Sequence, residues 1–89
     1  MQQSSIIIIN KSGLHARASA KLVALASTYQ CNIQIKYADK PADGKSIMSL
    51  LMLAAGVGSQ LQLITEGEDE DEALQAIEEL ISKGFDEKS

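Results

Sequence analysis

The chain has 89 residues, 12 acidic and 8 basic, for a formal net charge of −4. This argues against nucleic acid as a partner, because phosphate-backbone binding needs a basic face. Hydrophobic residues make up 45% and aromatics 3%, without tryptophan, so a single small domain over 1–89 with an aliphatic core is expected. The single cysteine, Cys31, excludes an internal disulfide, and with a single histidine it cannot build a zinc site of the usual spacing. No metal and no cofactor are expected.

The opening "MQQSSIIIIN" carries no basic segment ahead of its isoleucines and does not fit a signal peptide. The weakly polar run 47–57 is too short to span a bilayer, so a cytoplasmic protein without membrane insertion is expected, a monomer by default. "SIIIIN" has the β-branched composition of a strand, but its lack of alternation leaves the inward face open. After the Asn-Lys-Ser-Gly turn, "HARASAKLVALASTY" has helical spacing, with Leu22, Val23, Ala26 and Tyr29 on one face. "NIQIKY" alternates, Ile33, Ile35 and Tyr37 against Asn32, Gln34 and Lys36, as a strand with one wet face does. "ADKPADGK" holds the only proline and an Asp-Gly pair, hence turns around a short edge strand at most.

"SIMSLLML" suits a short helix capped by Ser46. "QLQLIT" alternates and makes a further strand. "EGEDEDEALQAIEELISKGF" makes a helix with acids at its start, Lys83 and Gly84 at its end, and a buried stripe of Leu74, Ile77, Leu80 and Ile81. The order β-α-β-β-α-β-α predicts an α+β open-faced sandwich, a mainly antiparallel four-stranded sheet covered on one face by three helices. The acidic run 66–72 reads as a solvated helix start, and Cys31 as a small buried or half-buried residue.

The first helix breaks the rule that the last one follows. A helix start is partly positive and favours acids, yet here "NKSGLHARAS" supplies His15 and Arg17 and no acid. Ser12 and His15 are the side chains near enough to cap the free amides. The small residues Ala16, Ala18 and Ser19 leave those amides open, and Gly13 permits the tight turn before them. Open N–H groups beside a guanidinium suit an anion, most naturally phosphate. Neutral imidazole is a nucleophile near neutral pH. His15 is therefore the candidate for a covalent phosphoryl intermediate.

"GLHARAS" at the head of the first helix, with "GKSIMSLLMLAA" and an acidic C-terminal helix, resembles HPr, the histidine-containing phosphocarrier family of the bacterial phosphoenolpyruvate:sugar phosphotransferase system. The likeness extends over essentially the whole chain. "SIMSLLML" and the terminal "GFDE" resemble the related nitrogen-regulatory phosphocarrier NPr at least as well. The resemblance implies a carrier with no substrate of its own, phosphorylated on Nδ1 of His15. Arg17 and the amides of Ala16, Arg17 and Ala18 would stabilise the phosphoryl group. It also implies Enzyme I as donor and the A-type domains of the sugar-specific enzymes II as acceptors. Where the family mostly has proline after the arginine, this chain has Ala18. The substitution adds a backbone N–H at the helix start and puts rate and affinity in question more than identity.

In HPr proteins of many bacteria the serine matching Ser46 is phosphorylated by an ATP-dependent HPr kinase, which makes Ser46 a candidate regulatory site. A dianion at a helix start is tolerated by the dipole. "IMSLLML" is more apolar than one buried stripe requires, so some of Ile47, Met48, Leu51 and Met52 must face outward. The resemblance favours Ile47, Met48 and Leu51 as the partner-docking patch. Another class of function, a regulatory module acting through Ser46 and this helix with His15 incidental, stands as the alternative.

Overall fold

The structure is a computed structural model that describes residues 1–87. Residues 88 and 89 of the expected domain lie outside the described residues. The strands are β1 (Gln2–Ile7), β2 (Asn32–Tyr37), β3 (Lys40–Asp43) and β4 (Gln60–Glu66), and the helices are α1 (Ala16–Ala26), α2 (Ile47–Met52) and α3 (Glu70–Ser82). A 3-10 turn, Gly84–Asp86, follows α3. The sheet order is β1-β4-β2-β3, and all three pairings are antiparallel. The order and the architecture are those the sequence predicts.

Alternation places the core. Ile33 and Ile35 on β2 and Leu61 and Leu63 on β4 are buried under the helices, while Asn32, Gln34 and Gln60 stay exposed. The isoleucine run does alternate in space, with Ile6 packed on the core and Ile8 buried, Ile7 and Ile9 exposed. A continuous apolar run carries no periodicity from which this could be read. The strand itself begins earlier than "SIIIIN" suggests and ends at Ile7. Lys40–Asp43 forms the edge strand β3, where Pro41 removes no bond that a central strand would need.

α1 buries Ala18, Ser19, Leu22 and Ala26. Val23 is only half-buried, and Tyr29 lies beyond the helix, which ends at Ala26. α3 buries Ala73, Leu74, Ile77 and Ile81, with Leu80 at the margin of the core. Lys83 is the C-cap of α3, and Gly84 follows at φ +64°, the left-handed conformation usual after a helix end. Among the described residues no helix is long and apolar enough to cross a membrane.

The candidate phosphoryl site

The loop from Asn10 to His15 is fixed before α1 begins. Gly13 N–H donates to the Asn10 carbonyl at 3.1 Å, and Leu14 N–H donates to Ala55 O at 2.9 Å. Asn10, 3% exposed, also donates from Nδ2 to Gly13 O at 2.8 Å. Gly13 has φ +64°, and a Cβ there would lie 2.6 Å from Ala55 O and 2.7 Å from Gly56 Cα. Both contacts are backbone, so only glycine fits the turn that delivers His15.

His15 is the N-cap residue of α1, with extended backbone and no side-chain cap bond. The first amides of a helix have no intrahelical acceptor, and the first helical turn contains no acid. Ala16 and Arg17 are exposed, whereas Ala18 is fully buried. Among the described residues Arg17 is in no ion pair. Neither Ser12 nor His15 caps the helix, so the two expected capping candidates are corrected together. Ser19 N–H donates to the His15 carbonyl at 2.8 Å.

The imidazole is engaged elsewhere. Its Nε2 lies 2.6 Å from Glu87 Oε2, with the His15 side chain 31% and the Glu87 side chain 9% exposed. The other Glu87 oxygen accepts from Asn10 Nδ2 at 2.9 Å. Burial pushes the Glu87 carboxyl up, but the hydrogen bonds from Asn10 and His15 and the nearby Lys21 charge outweigh it and hold it below its ordinary range. Asn10 and Glu87 were both missed by sequence reasoning. Asn10 looked like a turn residue, and Glu87 reaches the ring only through tertiary structure, 72 residues away.

Ser46 is the N-cap of α2, as expected, and its side chain accepts from Ser49 N–H at 3.2 Å. Leu50 and Leu53 turn into the core. On the outer side Met48 is 70% and Met52 74% exposed, Ile47 is partly exposed, and Leu51 is only half-buried. Met52 therefore presents more apolar surface than Leu51, which the expected patch had included in its place. The acidic run is not merely solvated either. Asp69 accepts N–H bonds from Gln30 and Cys31, both at 2.9 Å, and Glu70 accepts one from Gly67 at 3.0 Å. Cys31 is buried.

Known proteins show the same arrangement of the whole chain. The model of the family described as "PTS HPr component phosphorylation site" matches residues 2–83. The phosphocarrier protein HPr of Pseudomonas aeruginosa is 54% identical over 88 residues, covering 98% of each chain. The phosphocarrier protein NPr of Shewanella violacea is 44% identical over 87 residues, covering 98% of this chain and 96% of its own. A crystal structure of HPr-C-His from Thermoanaerobacter tengcongensis superposes with a TM-score of 0.96 at 38% identity, covering 100% of both chains. This chain belongs to the HPr family, the phosphocarriers of the phosphotransferase system.

Proposed function

We propose that His15 carries the phosphoryl group, taking it on Nδ1 from phospho-Enzyme I and passing it to the A-type domains of enzymes II. The observation that carries this is the uncapped, acid-free start of α1 with His15 as its N-cap residue. Transfer of this kind depends on positioning and charge stabilisation more than on new covalent chemistry by the protein. The Nδ1 lone pair forms the bond to phosphorus, and the donor's P–N bond breaks with its electron pair returning to the donor. The amides of Ala16, Arg17 and Ala18 and the Arg17 guanidinium then hold the dianion. Ala18 contributes an N–H where the family mostly has proline. The carrier turns over no substrate of its own.

Ile47, Met48 and Leu51, with Met52 beside them, form the docking patch in this reading. Methionines repack readily against different partners, which suits a carrier that meets both donors and acceptors. Ser46 serves as a regulatory phosphosite for an HPr kinase, where added charge acts by repulsion at that patch. The 54% identity to the HPr of Pseudomonas aeruginosa, against 44% to the NPr of Shewanella violacea, supports the carbohydrate branch. The test is incubation with phosphoenolpyruvate, magnesium and Enzyme I. An acid-labile, alkali-stable adduct that is absent in His15→Ala is expected. No adduct in the wild type would favour the regulatory module instead.

A further inference from the structure

The segment after α3 is built to deliver one carboxylate. Gly84, Phe85 and Asp86 all take left-handed backbone conformations, at φ +64°, +58° and +59°. Such conformations are disfavoured for residues with a Cβ and persist where the surroundings enforce them. Here Phe85 is fully buried in the core, and Lys21 of α1 donates from Nζ to its carbonyl at 2.7 Å. The turn is thus tied to α1 and sets Glu87 against the Nε2 edge of the His15 ring. Both Glu87 oxygens are used, one on Asn10 at 2.9 Å and one on His15 at 2.6 Å. Asn10 donates from the same Nδ2 to Gly13 O, so its amide orientation is set by two acceptors.

We propose that Glu87 is a positioning residue for phosphoryl transfer, holding hydrogen on Nε2 of His15 and leaving the lone pair on Nδ1. The inference rests on the phosphocarrier reading above. An ionised carboxylate can only accept, so the hydrogen between the pair belongs to Nε2. When Nδ1 takes the phosphoryl group, the ring keeps that hydrogen and becomes positively charged, while the electron pair of the broken bond stays with the donor. The Glu87 carboxylate balances the new ring charge at the edge remote from phosphorus. Onward transfer returns the N–P electron pair to Nδ1, and the ring is neutral again. Glu87 therefore keeps the tautomer fixed in both states and favours uptake of the phosphoryl group without touching it.

The test reads the ring without any donor. In the unphosphorylated protein, 1H–15N spectroscopy should find a strongly downfield Nε2 proton that exchanges slowly with solvent. Glu87→Gln keeps an acceptor without the charge, so its proton should move upfield and adduct formation should slow about threefold. Glu87→Ala should lose the proton signal to exchange and transfer roughly tenfold more slowly, the scale of a charge-assisted hydrogen bond. If Glu87→Ala does not fold, Glu87→Gln decides by the same two measurements. A wild-type ring without the carboxylate-bonded proton, or a folded variant transferring at the wild-type rate, overturns the proposal. A wild type that shows the proton but forms no adduct overturns the carrier reading, and the role in transfer with it.

Discussion

Leu14 donates its amide to the carbonyl of Ala55 at 2.9 Å, tying the residue before His15 to the chain just beyond α2. Gly13 lies in the same seam, against the backbone of Ala55 and Gly56. The loop that carries His15 and the chain just beyond the helix that bears Met48 and Met52 are therefore joined by backbone contacts that no side chain can relax.

Gly13→Ala tests this seam. The new methyl would meet Ala55 O and Gly56 Cα well inside normal contact, in a conformation that alanine disfavours. The expected loss is about 2 kcal/mol of stability, the range for an enforced backbone outlier. Urea unfolding measures it, and phosphoryl transfer should fall as well because His15 moves with the turn. An unchanged urea midpoint would mean that the seam opens freely.

Arg17→Ala separates binding of the phosphoryl group from folding. Arg17 is exposed and stands in the first turn of α1, where a cation opposes the helix dipole. Its removal should leave stability unchanged or raise it by about 0.3–1 kcal/mol. Adduct formation should fall by about 10²-fold, as for loss of one preorganised group that stabilises transition-state charge. Lysine at this position restores charge but not the planar fork, so partial recovery is expected. Stability and transfer falling in parallel would instead give Arg17 a structural role.

At Ser46 the structural and regulatory roles can be pulled apart by two substitutions. Ser46→Ala removes the acceptor for Ser49 N–H and should destabilise by about 1 kcal/mol. Ser46→Asp keeps a good cap, so its thermal midpoint should stay near the wild type. If charge at this position regulates docking, the aspartate variant should bind donor and acceptors more weakly while remaining folded. Equal binding by wild type and Ser46→Asp would leave Ser46 with its capping role only.

Local chemistry made the fold legible. Ile33, Ile35, Leu61 and Leu63 announced their faces by alternation, and Ser46 announced α2 by its capping preference. The start of α1 was legible for the opposite reason, because Arg17 stands where helix physics prefers an acid. What stayed hidden depended on distant partners. The isoleucine run has no period, so Ile6 and Ile8 could not be told from Ile7 and Ile9. Leu51 and Met52 differ by about 100° around a short helix, and only packing on α1 and β3 decides which is outermost. Asn10 and Glu87 form one network with His15, but nothing local in "NKSG" or "GFDE" requires it.

The same long-range contacts set the acid limit of the fold. The N–H of Gln30 is the largest influence on Asp69 and, with Cys31 N–H, outweighs burial to hold its carboxyl below the ordinary 3.8. Glu87 is likewise held below its ordinary 4.5. Since each folded-state value lies below the unfolded one, the unfolded chain binds protons first as pH falls. The stabilisation is complete above about pH 4.5 and is lost as pH falls through the depressed values. Urea midpoints should therefore be level from pH 7 to 5 and drop steeply below about pH 4. Asp69→Asn should lower the neutral plateau, because the carboxylate charge is gone, and make the acid limb shallower. Glu87→Gln should likewise make the acid limb shallower, because it removes a second depressed carboxylate, while its amide oxygen can still accept from Asn10 and spare part of the neutral plateau. Acid limbs of equal slope in the wild type and Asp69→Asn would show that the bridge from α3 to the start of β2 does not control acid unfolding.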